Sequence, residues 1–176
     1  MKWIRSWPSP TEMAEKKLEN VPHVVDTIER MFMTDYNYMR CEWPLDEVPG
    51  FCMLEWDIAL DPLSRQAFAA EALLEPREIL VAPYRFHDTW CMWIGSDGSG
   101  PSTNGRPVKL GETRCDSFGL VCIYIPTVIL KEFLAVMNKF GFTDATFGKW
   151  YYEKYGQARM TWNVHPQHLH EYPDVI

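Results

Sequence analysis

Two carboxylates lie inside an otherwise apolar run, Phe51-Cys52-Met53-Leu54-Glu55-Trp56-Asp57-Ile58-Ala59-Leu60-Asp61. Burying an ionised carboxylate without a partner costs several kcal/mol, so such groups pair or bind a cation. In an extended chain, residues two apart share a face, which sets Glu55 and Asp57 side by side, roughly 6–7 Å apart at ~3.3 Å per residue. Mg2+ and Mn2+ prefer carboxylate oxygen and often take only one or two protein carboxylates, with substrate phosphates supplying further ligands. The pair therefore reads as a divalent-metal site or, alternatively, as a structural network in which a buried arginine holds one of the acids. Asp61 is different: immediately before Pro62, it has the form of a helix N-cap.

Three more clusters carry chemistry. His165-Pro166-Gln167-His168-Leu169-His170 places three imidazoles within six residues. In an extended segment His168 and His170 share a face, and either completes a metal site; the other reading is a solvated tail. No HExxH accompanies them, so a dedicated zinc site is weakly signalled. Asp144 falls in the first turn of a helix predicted after Thr143, where the helix dipole favours a carboxylate; facing a cleft, it could act as a general base on an acceptor hydroxyl. Tyr84-Arg85-Phe86-His87-Asp88-Thr89-Trp90-Cys91-Met92-Trp93 precedes a Gly/Ser-rich stretch, and reads as a stacking platform for sugar, nucleobase or aromatic side chain, or as a cover over the core. Gly98-Ser99-Gly100 has no following GK[ST], and the chain has neither GxSxG nor GxGxxG.

The elements that must position these groups can be read from punctuation and periodicity. A strand is predicted over 2–7. Ser9-Pro10-Thr11-Glu12 and Asp26-Thr27-Ile28-Glu29 have capping-box form and open helices over 10–19 and 26–40. A turn-rich connector, 43–50, leads into the carboxylate strand, 51–61. A helix over 61–74 follows, with Leu63, Ala67, Phe68, Leu73 and Leu74 as candidate buried positions, and then a strand over 78–82. Residues 95–107 form a long flexible loop. A strand over 120–125 and helices over 126–140 and 143–155 come next, Gly156 closing the last. A strand over 159–164 and a tail over 165–176 complete a single domain, 1–176, without internal repeats. Alternating strands and helices predict an α/β fold: a mainly parallel or mixed sheet with helices on both faces. Such sheets bind ligands at the carboxyl ends of their strands, where 57–61 would fall.

Composition narrows the partners. The 176 residues suffice for one core, and 47 % hydrophobic with 23 % charged residues excludes a disordered chain. A net charge of −7 disfavours general binding to a nucleic-acid backbone. Five cysteines with no CxxC spacing, two of them (Cys52 and Cys122) in apolar runs, point to reduced core thiols and a cytoplasmic location. No segment has the ~18 apolar residues of a membrane span, and the amino terminus lacks a signal-peptide apolar region, so no membrane partner is expected.

The order of short motifs is also familiar. The run ending in Glu55-Trp56-Asp57-Ile58-Ala59-Leu60 is followed by Ala82-Pro83-Tyr84-Arg85, Phe118-Gly119-Leu120 with Tyr124-Ile125-Pro126, Asp144-Ala145-Thr146-Phe147-Gly148-Lys149-Trp150 and His168-Leu169-His170. Over roughly residues 50–172 this resembles small bacteriophage-encoded proteins of the glycosyltransferase type, with a reduced GT-A nucleotide-sugar (Rossmann-like) fold. The resemblance implies transfer of a sugar from a nucleotide-sugar donor to a hydroxyl of a modified DNA base, a virion protein or a host molecule, with Mn2+ or Mg2+ as cofactor, in the host cytoplasm. It places Glu55 and Asp57 at an acidic DxD-like motif with Glu in the first position, and adds His168 and His170 as metal ligands. Asp144 becomes the catalytic base. Typical GT-A domains are longer in their amino-terminal half, so Arg5 and Trp7 would take over donor binding here. Tyr84, Arg85, Trp90 and Trp93 would receive the acceptor. Two other functions fit the same residues: a non-catalytic nucleotide- or partner-binding module of the same fold, and a metal-dependent hydrolase built on the histidines.

Overall fold

The computed structural model describes residues 2–5, 49–54, 58–86, 89–98, 105–136 and 144–168. The strands are β1 (Lys2–Arg5), β2 (Gly50–Leu54), β3 (Ile58–Ala59), β4 (Leu80–Val81), β5 (Arg85–Phe86), β6 (Thr89–Trp90), β7 (Met92–Ile94), β8 (Arg106–Pro107), β9 (Arg114–Cys115), β10 (Ser117–Phe118), β11 (Cys122–Pro126), β12 (Ala158–Met160) and β13 (Gln167–His168). The helices among the described residues are α1 (Pro62–Ala72), α2 (Thr127–Val136) and α3 (Asp144–Tyr155). The helices expected over 10–19 and 26–40 lie outside the described residues. No helix among those described is long and apolar enough to cross a membrane.

The central sheet has the order β1-β2-β11-β4-β12-β9. β1 pairs with β2, and β4 with β12, in parallel. β11 lies antiparallel between β2 and β4, and β9 antiparallel on β12. β1, β2, β4 and β12 therefore share one direction. The sheet is mixed; of the two alternatives read from the sequence, the mainly parallel one gives way, because β11 enters the middle of the sheet in the opposite sense.

Both faces of the sheet are buried, which is why its strands read as continuous apolar runs rather than alternating ones. Phe51 and Met53, Ile79 and Val81, Ile123 and Ile125, and Ala158 and Met160 point into one core with Ile129, Leu130 and Phe133 of α2 and Phe147 and Tyr151 of α3. Their neighbours in sequence, Cys52 and Leu54, Leu80 and Ala82, and Cys122 and Tyr124, face a second core with Phe68 and Ala72 of α1. Helices on both faces are thus observed. Full burial of Phe51, Phe68 and Phe147 is favourable by about 1.5–3 kcal/mol per side chain.

Local chemistry sets the helix ends. The Asp61 Oδ1 accepts the backbone N–H groups of Leu63 (2.9 Å) and Ser64 (3.0 Å), and Pro62 occupies the first turn. Gly156, at φ +80°, donates its N–H to the Tyr152 carbonyl (2.9 Å) and closes α3 as expected. The buried stripe of α1 is narrower than the sequence suggests. Phe68 and Ala72, four residues apart, make the contact, whereas Leu63, Ala67, Leu73 and Leu74 are exposed. Leu73 is already the C-cap, so it and Leu74 lie past the end of the packed face.

Of the expected carboxylate strand, β2 (Gly50–Leu54) and β3 (Ile58–Ala59) pair in different sheets, and Glu55, Trp56 and Asp57 lie outside the described residues. The expected loop over 95–107 ends in a strand, since β8 pairs with β7 (Ile94 opposite Arg106) in a small antiparallel sheet, β10-β7-β8. The carboxy-terminal segment is likewise paired at its start, through β13 on β3.

Candidate functional site

The four strands of common direction finish along one edge of the sheet, at Arg5, Leu54, Val81 and Met160. Arg5 stands opposite Leu54, the last residue of β2. Glu55, Trp56 and Asp57 follow directly in the chain and lie outside the described residues, as do Trp7 and His170. Past them, β3 pairs antiparallel with β13, so His168 stands opposite Ile58, the residue after Asp57. β13 also lies against β5, which carries Arg85. The backbone thus brings Arg5, the flanks of the acidic segment, His168 and the Arg85 hairpin to one edge. Asp144 opens α3, and no strand pairing joins it to this edge among the described residues.

The hairpin is built by pairing Arg85 with Trp90, the Cys91 N–H donating to the Tyr84 carbonyl at 3.0 Å. The exposed Arg85 guanidinium lies 4.8 Å from the centroid of the Trp90 ring, within cation–π range. Trp90 meets Trp162 edge to face, with centroids 4.8 Å apart and planes at 87°. Trp162 is held in turn by its indole N–H, which donates to the Glu112 carbonyl at 2.6 Å. Tyr84 is half-buried against both cores. Trp93, on β7, is half-buried, paired with Pro107 and Ser117, and its carbonyl accepts the Asp116 N–H at 2.9 Å. Of the four expected acceptor residues, Arg85 and Trp90 make one unit, Tyr84 seals the hairpin base, and Trp93 belongs to the neighbouring small sheet.

Three residues escaped the reading of the sequence. Trp162 buttresses the hairpin from beyond the end of β12, which stops at Met160, whereas the strand expected over 159–164 ran through it. Asp116 is only 4 % exposed, yet it is an anchor: Oδ2 accepts the Gly95 N–H and Oδ1 accepts the Gln157 side-chain amide at 2.8 Å. Glu112 accepts both Arg106 Nη1 (3.1 Å) and Nη2 (2.5 Å) and the Lys109 N–H (2.6 Å). The Arg106 guanidinium, with the Lys109 N–H, lowers the Glu112 carboxyl to about 2.

Among the described residues no three His, Cys, Asp or Glu side chains come together to hold a metal. Cys52, Cys91, Cys115 and Cys122 are buried thiols outside any disulfide, and burial pushes the Cys52 thiol up to about 12 and raises those of Cys115 and Cys122 as well. Thiolate chemistry at neutral pH is thereby disfavoured. A metal at the edge would be held by Glu55 and Asp57 with His168 or His170. That oxygen and nitrogen set fits Mn2+ or Mg2+ better than a thiolate-loving ion, and the pairing of β13 with β3 brings the backbones of the two segments side by side.

No protein-family model matches the chain, and no curated protein matches it. Among solved structures it is similar to A197 from STIV, a viral protein, at 12 % identity over 95 % of this chain and 83 % of that one, with a TM-score of 0.53. At that identity the likeness concerns the fold alone.

Proposed function

We propose that the protein is a metal-dependent glycosyltransferase of reduced GT-A type, moving a sugar from a nucleotide-sugar donor to a hydroxyl acceptor. The observation that carries this reading is the convergence of Arg5, the residues flanking Glu55–Asp57, and His168 at the carboxyl edge of the sheet. Ligands of α/β sheets bind at such an edge. A divalent ion held by Asp57, Glu55 and the imidazoles would supply charge neutralisation for a diphosphate leaving group. Arg5 and Trp7 would orient the donor. Asp144 would take the proton from the acceptor hydroxyl, a role that requires it to reach the edge in the ternary complex.

The test is thermal unfolding with a panel of nucleotide-sugars, with and without Mn2+. A ligand at 100 times its Kd stabilises by about 2.7 kcal/mol, a readily measured shift. A shift that needs Mn2+ and disappears in Asp57→Asn, together with sugar release or transfer, supports the proposal. No shift across the panel in the wild type would end it, and Mn2+-dependent turnover retained by Asp57→Asn would remove the acidic motif from the mechanism. Binding without turnover would favour the binding module. Zn2+ retained through purification and lost in the His168→Ala/His170→Ala double variant would favour the hydrolase.

A further inference from the structure

We infer that Arg85 is a phosphoryl-anion contact: a guanidinium laid on an immobilised indole, aimed at the diphosphate of the donor and not at the acceptor. The inference rests on the donor reading above and deepens it.

Four observations lead there. The Arg85 guanidinium carbon lies over the Trp90 ring, 4.8 Å from its centroid. A cation–π contact uses no N–H···O bond, so the guanidinium keeps donors for two phosphate oxygens at once. Second, the shelf beneath it is fixed: strand pairing ties Arg85 to Trp90, Trp162 abuts Trp90, and the Trp162 indole N–H is bonded to the Glu112 carbonyl. An arginine already held in place loses less side-chain freedom on binding than a free one. Third, Arg106 and Arg114 are each committed to a carboxylate, Glu112 and Glu78, whereas no carboxylate among the described residues pairs with Arg85. In a chain of net charge −7, an anion site needs such a cation. Fourth, β5 lies against β13, which pairs with β3 just after the acidic segment. Arg85 thus stands beside the edge where a diphosphate would meet the metal. Trp90, already packed by Arg85 and Trp162, is poorly placed to offer an open ring to an acceptor sugar.

The experiment titrates the purified protein in EDTA with inorganic pyrophosphate by calorimetry, which isolates the cation from the metal and from nucleotide recognition. Pyrophosphate is expected to bind. Arg85→Gln should weaken it by about tenfold or more, the scale of a lost charged hydrogen-bond pair. Arg85→Lys should recover only part of the loss, because the planar fork is gone. Trp90→Leu keeps the charge and removes the shelf, and should still weaken binding several-fold. Should that variant fail to fold, the two Arg85 variants, at an exposed position, carry the test. No pyrophosphate binding by the wild type, or equal affinity in Arg85→Gln, overturns the inference. The nucleotide-sugar panel separates it from the reading it rests on. A Mn2+-dependent donor shift that persists unchanged in Arg85→Gln removes this contact and leaves sugar transfer standing. Arg85-dependent pyrophosphate binding with no donor shift leaves the contact as a site for free phosphoryl anions and removes sugar transfer.

Discussion

At the scale of single residues, most of the carboxylates whose partners are described do structural work. Asp61 caps α1, Asp116 anchors the Gly95 turn and the segment before β12, and Glu112 gathers the loop between β8 and β9. Asp61 could be recognised from the sequence because its partners lie two and three residues away. Asp116 could not, because it reaches residues 21 and 41 positions distant. Glu112 supports a prediction with a definite sign. Its folded-state carboxyl titrates at about 2 against an ordinary 4.5, so between those values the unfolded chain binds the proton more readily. The stabilisation from the pair is fully present above the ordinary value and is lost as pH falls towards 2. Urea midpoints measured down a pH series should therefore fall less steeply for Glu112→Gln than for the wild type below about pH 5, and the effect should shrink with added salt because the pair is solvent-accessible. Parallel curves for the two proteins would show that the Arg106–Glu112 pair adds nothing.

At the scale of elements, close backbone approach decides what the chain tolerates. Gly98 (φ +86°) and Gly148 are both buried and face each other; a Cβ on Gly148 would meet the Gly98 carbonyl oxygen, and one on Gly98 would lie 2.7 Å from the Tyr152 Cβ. In a free helix interior Gly→Ala stabilises by about 1 kcal/mol. Here the obstacle is backbone, which cannot swing aside, and the overpacking cost of about 1–3 kcal/mol reverses the sign. Gly148→Ala should lower the unfolding midpoint; a rise would mean that the contact between α3 and the Gly95–Gly98 turn yields easily. The elements legible in advance were those with strong end signals, α1 by Asp61-Pro62 and α3 by Gly156, and those written as apolar runs, β2, β4 and β11. The strands of two or three residues, β5 to β10, were not legible, because so short a segment shows no period and exists only through its partner. The Leu residues of α1 were misjudged because hydrophobicity alone does not say how wide a stripe the neighbouring sheet will cover.

At the scale of the whole molecule, two cores cover the two faces of the central sheet. Cys52 and Cys122 sit in the core under α1, Cys115 in the core under α2 and α3, and Cys91 is also buried. The burial of all four predicts, with the raised thiol pKa values of Cys52, Cys115 and Cys122, that mapping by mass spectrometry after brief iodoacetamide treatment will find none of the four modified in the native state, and all four modified in denaturant. Rapid native labelling of Cys52 or Cys122 would contradict the second core. The sequence by itself determined that both faces of the sheet would be covered, because unbroken runs such as Phe51–Leu54 and Cys122–Ile125 leave no face for water, and it determined the helix ends, because caps act over a few residues. Only the tertiary structure decided the sense of β11, the pairing of β13 with β3, and the packing of Arg85 and Trp162 against Trp90. Those depend on partners tens of residues away, and hydrophobic burial, being non-directional, drives the chain to collapse without naming which strand will lie beside which.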